Sequence, residues 1–260
     1  MSSQDISSPI EVEACPEKNV WGFWATAGFG VVVLVISLVI ESVVVGVFAI
    51  VKMVSDSTFN ISWLVETFTA NLGLITALAT IVSAIICVGL IIAIVKVRRS
   101  VSIAEYLGFR PITGKIILIS LAITAGFIVL SGSADTFLER PVPEFMLDTY
   151  STSVWPALLW IAFIVFAPAF EEIFFRGFLF EGFRQARIGV IGAIGLTAAG
   201  WALLHIQYGV YEIVTIFVIG IVLGVVRLKT DSLWSPLVMH AFFNLIAMIQ
   251  LTLYSSGIIS

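Results

Sequence analysis

The stretch Phe170-Glu171-Glu172-Ile173-Phe174-Phe175-Arg176 decides how this chain is read. It lies inside a strongly apolar run that begins at Trp155. Two adjacent carboxylates and a guanidinium stand where lipid-facing side chains would be expected. An ionisable group at the centre of a bilayer costs on the order of 2.5–3.5 kcal/mol on insertion scales. Keeping three together therefore points to a use. On an α-helix Glu172 and Arg176 are four residues apart, share a face and can pair. Glu171 is five residues from Arg176, roughly 140° around the same helix. Glu172 thus reads as the charge-compensated, oriented carboxylate, and Glu171 as the available base.

The surrounding sequence fits a membrane. Of 260 residues, 60% are hydrophobic and 12% charged, and the mean hydropathy is +1.11. Soluble domains carry about twice that share of charge. No basic patch suggests nucleic acid. Cys15 and Cys87 sit in a polar tail and an apolar run, which is neither a disulfide framework nor a metal-site spacing. The first twenty residues are polar and acidic, unlike the positive start of a cleavable signal peptide. The ending Gly257-Ile258-Ile259-Ser260 carries no prenylation signal.

Seven apolar spans are expected, each near the ~20 residues that a bilayer requires. They run over Trp21–Val51, Thr69–Val95, Lys115–Leu130, Trp155–Phe183, Ile188–His205, Ile213–Val226 and Leu233–Tyr254. The first is long and holds Glu41, so it is expected to tilt or break in two, which would make eight. The fold class is therefore an all-α polytopic helical membrane bundle forming one domain. Its parts are a polar tail over residues 1–20, N-terminal transmembrane helices over 21–154, a core over 155–254 and a short tail over 255–260. Alternating the connections between two sides leaves only Lys52 and Arg140, of 13 Lys and Arg, on the side opposite the N-terminus. The positive-inside rule then makes the N-terminus cytoplasmic and the acidic 131–154 connection external in a cell membrane.

The chain has two histidines, His205 and His240, both in or at the end of apolar spans. A single intramembrane histidine is often only a hydrogen-bonded packing residue. His240 and Asn244, however, are four residues apart and project from one face of the last span. Counting about 1.5 Å per residue, Glu171 lies roughly 20 Å from Arg184, His205 roughly 26 Å from Ile188, and His240 and Asn244 roughly 11 and 17 Å from Leu233. These depths allow Glu171, Glu172, Arg176, His205, His240 and Asn244 to meet at one buried site. Carboxylate, imidazole and amide are the groups that activate water against an acyl carbon and receive the oxyanion. Ser235, before Pro236, is read as a helix cap rather than a nucleophile.

At these residues the chain resembles the CAAX protease and bacteriocin-processing (CPBP, or Abi) family of intramembrane proteases. The family pattern is Glu-Glu-x-x-x-Arg, Phe-x-x-x-His and His-x-x-x-Asn. Here it reads Glu171-Glu172-Ile-Phe-Phe-Arg176, Trp201-Ala-Leu-Leu-His205 and His240-Ala-Phe-Phe-Asn244. Trp201 replaces the usual Phe, a change expected to affect pocket shape rather than chemistry. The resemblance covers roughly Trp155–Ile249 and implies a glutamate-type endopeptidase without a cofactor. It implies that Glu171 and His205 activate water and that His240 and Asn244 form an oxyanion hole. The substrates it implies are membrane-associated peptides or proteins, among them prenylated C-termini and leader peptides. Two other readings stay open. A zinc hydrolase would use His205, His240 and a glutamate as ligands. A transporter, or a non-enzymatic scaffold or immunity protein, would keep the same charges for a pathway or for structure.

Overall fold

The computed structural model describes residues 20–56 and 60–259, and the polar tail with Cys15 lies outside them. Among the described residues there are helices and connecting loops and no strand. In hydrocarbon every backbone N–H and C=O must be satisfied within the segment, so apolar runs of this length become helices. The helices are α1 (Phe23–Asp56), α2 (Ile61–Ala70), α3 (Leu72–Lys96), α4 (Ile103–Leu107), α5 (Gly114–Phe137), α6 (Glu144–Ser151), α7 (Pro156–Arg184), α8 (Gly189–Leu203), α9 (Val210–Thr230) and α10 (Trp234–Ser255). Six of them, α1, α3, α5, α7, α9 and α10, are long and apolar enough to cross a membrane, and α8 is a shorter apolar helix. The protein is an integral membrane helical bundle; six of the seven expected spans are helices of membrane-crossing length, and the fifth, Ile188–His205, is the shorter helix α8.

The break expected at Glu41 does not occur. Ser37 Oγ donates to Glu41 at 3.0 Å and shares a 2.8 Å hydrogen bond with Ser83 of α3. A carboxylate satisfied this way leaves the helix no reason to open. α1 is 34 residues long, about 51 Å, well beyond the ~30 Å hydrocarbon thickness. Its buried residues Thr26, Gly30, Val33 and Ser37 form one stripe, while Val31, Val35, Leu38 and Val39 face outward. A methyl group at Gly30 would stand 2.8 Å from the tip of Leu179, so α1 and α7 pack closely there and a larger residue would make Leu179 shift.

Hydropathy did not foresee the short helices α2, α4 and α6. The first two begin at capping residues: Asn60 accepts from the Trp63 N–H at 2.7 Å and Ser102 from the Glu105 N–H at 3.1 Å. α4 ends at Gly108 in the left-handed conformation (φ 81°), with the Arg227 guanidinium where a side chain would go. Ser235 is not a cap: it is buried with its hydroxyl unpaired, and Ser232 Oγ accepts from the Trp234 N–H at 3.3 Å. Ser232 also donates to the Arg110 carbonyl at 2.5 Å, and the Leu233 N–H donates to the Gly108 carbonyl at 2.7 Å. The start of α10 is therefore pinned to the α4 turn, beside Gly177 of α7.

α7 is not a uniform α-helix. Residues Ala162–Phe166 and Ile173–Leu179 are π-helical, and the α-helical turn Ala167–Glu172 lies between them. Pro168 is the local cause of the first: it has no N–H and its ring crowds the carbonyl four residues back. The Ala167 N–H reaches back to Ala162. The Phe163 carbonyl then has no helical donor, since Ala167 is diverted and Pro168 has no hydrogen to give. Asn244 of α10 supplies one, Nδ2 to O at 2.7 Å. The second π stretch repeats the pattern. The Phe180 N–H bonds to Phe175 and Gly177, bypassing Arg176, and the Arg176 carbonyl accepts from Arg227 Nε of α9 at 3.1 Å.

Candidate active site

The glutamate pair sits at the end of the α-helical turn between the two π stretches of α7. Glu172 is fully buried. Its Oε1 accepts from Arg176 Nη1 at 2.9 Å, the pairing expected from their spacing, and from His240 Nδ1 at 2.9 Å. Arg176, also fully buried, donates a second bond from Nη2 to the Gly220 carbonyl of α9 at 3.2 Å. Glu172 is thus held by one cation and one imidazole in the driest part of the bundle.

Glu171 differs in each respect. Its side chain keeps 18% exposure, and among the described residues no Lys or Arg pairs with it. Its Oε2 accepts a hydrogen bond from Trp201 Nε1 of α8 and lies 3.9 Å from His240 Nε2. His240 therefore spans the two carboxylates, Nδ1 on Glu172 and Nε2 toward Glu171. A carboxylate only accepts, so Nδ1 carries the hydrogen. Nε2 is then an acceptor in the neutral ring and a donor in the imidazolium.

Trp201 touches four members of this cluster, Glu171, Arg176, His205 and His240. The Arg176 guanidinium lies over its ring at 4.5 Å from the centroid. The His240 and His205 rings meet it edge-on, with centroids at 5.0 and 5.5 Å. Its carbonyl accepts from His205 Nδ1 at 2.9 Å, leaving His205 Nε2 as the acceptor of the neutral ring. The exchange of Phe for Trp at this position is thus a chemical change as well as one of shape, because it places an N–H on the free glutamate.

Two expected members stand further out. α8 ends at Leu203, so His205 lies in the turn beyond it, not on the helix. It makes no hydrogen bond or ion pair to either glutamate and joins the site through Trp201. Asn244 shares a face with His240 as expected, but its amide holds the Phe163 carbonyl and spends one N–H there. The second N–H stays available. Among the described residues no group of three or more His, Cys, Asp or Glu is placed to hold a metal ion. Of the donors expected for zinc, His205 Nδ1 is on the Trp201 carbonyl and His240 Nδ1 on Glu172.

Sequence reading passed over Tyr208, three residues after His205 in the same turn. Its ring stacks on His205 with centroids 6.1 Å apart, and its hydroxyl donates to Met146 Sδ of α6 at 3.0 Å. Burial, and secondarily the charge of Glu171, push its hydroxyl well above the usual tyrosine range, so it stays protonated. The signal available in the sequence was a polar aromatic close to a histidine between two apolar runs. α6, which the hydropathy pattern did not show, covers this turn.

A model of the Rce1-like family, type II CAAX prenyl endopeptidases, matches residues 153–246, 94 of the 260. The match spans all three motifs and bears out the resemblance read from them. Comparison with curated proteins and with solved structures gives no match.

Proposed function

We propose that this protein is an intramembrane endopeptidase in which Glu171 activates a water molecule against a peptide carbonyl. The observation that carries the reading is the unequal treatment of two adjacent glutamates. Glu172 is paired with Arg176 and held by His240, while among the described residues no Lys or Arg pairs with Glu171, whose carboxylate is the partly exposed one of the two. A base must have a free oxygen and access to substrate. With Oε2 on Trp201, the Oε1 atom of Glu171 is the one that takes the water proton. His205, through Nε2, accepts the second hydrogen of that water from the open side. Hydroxide adds to the carbonyl, and the oxyanion forms against the second N–H of Asn244 and against His240 in its imidazolium form, the form in which Nε2 donates while Nδ1–H stays on Glu172. Glu171 then returns its proton to the departing amine, which closes the cycle without a covalent enzyme intermediate. Each oxyanion donor is worth about 2.7–4 kcal/mol in comparable acyl chemistry.

The substrate class follows from the setting. A site enclosed by apolar helices receives a peptide already attached to the membrane, by a lipidated C-terminal cysteine or by an apolar leader segment. The Rce1-like match supports the first. The reading is metal-free, because the Arg176 cation occupies the place beside Glu172 that a dication would need. Cleavage should therefore persist in a strong chelator, whereas loss on chelation and recovery with zinc would replace this mechanism by a zinc-water one.

The decisive test compares membrane-fraction peptides from cells carrying the wild-type protein and Glu171→Gln. The variant keeps size and hydrogen bonding and removes the base. A trimmed peptide or C-terminus present only with the wild type supports the reading; identical peptide sets, with any phenotype retained, would sink it in favour of a scaffold.

A further inference from the structure

We infer that Trp201 is a positioning residue for the water-activating carboxylate, holding Glu171 by its indole N–H so that one oxygen alone faces the substrate. The inference rests on the proposed role of Glu171. A glutamate side chain has three rotatable bonds, and a base that must meet one water in one direction loses rate if it samples several rotamers. Glu172 needs no such help because Arg176 and His240 fix it. Among the described residues no Lys or Arg pairs with Glu171, and the one hydrogen-bond donor on it is Trp201.

The donor is itself immobile. Trp201 is 4% exposed. Its ring is clamped under the Arg176 guanidinium and against two imidazoles, and Ala198 and Trp201 pack onto Gly220 of α9 so closely that an added methyl would stand 3.1 Å from each. A rigid N–H on Oε2 leaves Oε1 as the reactive oxygen and keeps the carboxylate plane fixed relative to His240. A Phe at this position would fill nearly the same space and give no hydrogen. The hydrogen bond is therefore a property of this chain at a place where its motif departs from the family pattern.

Trp201→Phe separates the donor from the ring. The first measurement needs no substrate: ¹⁵N–¹H spectra of the indole groups of the full-length protein in nanodiscs. The Trp201 resonance is the one missing in Trp201→Phe, and it should lie downfield and move upfield in Glu171→Gln. A Trp201 resonance indifferent to Glu171→Gln overturns the inference. The second measurement is turnover of a farnesylated peptide ending in a CAAX sequence. Trp201→Phe should lower kcat about tenfold, the size of one hydrogen bond to a charged group, with KM and Tm close to wild type. An unchanged kcat, or a fall matched by an equal loss of Tm, overturns the inference and leaves the role of Glu171 standing. Should wild-type protein not cleave this peptide, the lipidated-substrate reading fails, and the spectrum still decides whether Trp201 holds Glu171.

Discussion

Glu172 and Arg176 have no exposed surface, so each depends on the other in a way that an exposed ion pair does not. Removing one half of a sealed pair leaves a charge that water cannot reach, at a cost of about 3–5 kcal/mol. Arg176→Ala should therefore lower the Tm in detergent sharply, while Glu171→Gln, which strands nothing, should melt like the wild type. Adding Glu172→Gln to Arg176→Ala removes the stranded charge and should recover part of the lost stability. If Arg176→Ala melts normally, the assignment of Glu172 as the structural partner is wrong. This division was legible in the sequence, because the i,i+4 against i,i+5 spacing survives even though the π-helical stretch begins between Glu172 and Arg176. The Trp201 bond to Glu171 was not legible. It joins residues thirty positions apart on two helices, and no periodicity encodes which aromatic nitrogen will meet which carboxylate.

Within α7 the two π stretches each leave one carbonyl without a helical donor, and each carbonyl is claimed by a side chain from another helix, Asn244 on Phe163 and Arg227 on Arg176. The glutamates lie on the turn between these two anchors, so their rotation about the helix axis is set from both ends. Leaving a buried acceptor unpaired costs about 1–3 kcal/mol. Asn244→Ala should lower stability by that amount in addition to any effect on turnover. The lost pairing originates at Pro168. Pro168→Ala restores an N–H to the ladder and should offset much of the stability loss in the double variant, without restoring a role of Asn244 in catalysis. Equal stability of single and double variants would mean that the Phe163 carbonyl finds water instead. Hydropathy located α7 and its depth but could not show the π stretches. They depend on a proline whose effect is ordinarily a kink and on a donor 81 residues away.

At the scale of the molecule, apolar segment length carried most of the information. The span expected at Thr69–Val95 is α3 at Leu72–Lys96, and that at Leu233–Tyr254 is α10 at Trp234–Ser255. Length fixes where helices lie and says nothing of which membrane face they begin on, so orientation rests on charge. Lys96, Arg98, Arg99, Arg110, Arg184, Arg227 and Lys229 flank one end of the bundle, and at that end Arg110, Arg184 and Arg227 converge on Asp231. At the other end Arg140 is paired with Glu212 at 2.9 Å, so even that lone arginine is compensated. By the positive-inside rule the end richer in Lys and Arg is expected in the cytoplasm. Single cysteines introduced into the 138–143 connection between α5 and α6, in a Cys15→Ser, Cys87→Ser background, should react with a membrane-impermeant maleimide on intact cells. Sites in 97–102 and at Lys229 should react only after lysis. The active-site turn after α8 lies roughly 25 Å along that helix from its basic end. The same labelling therefore decides from which side a peptide reaches Glu171: with the basic end inside, the turn after α8, covered by α6, lies toward the outer face, and reversed labelling would place it on the cytoplasmic face.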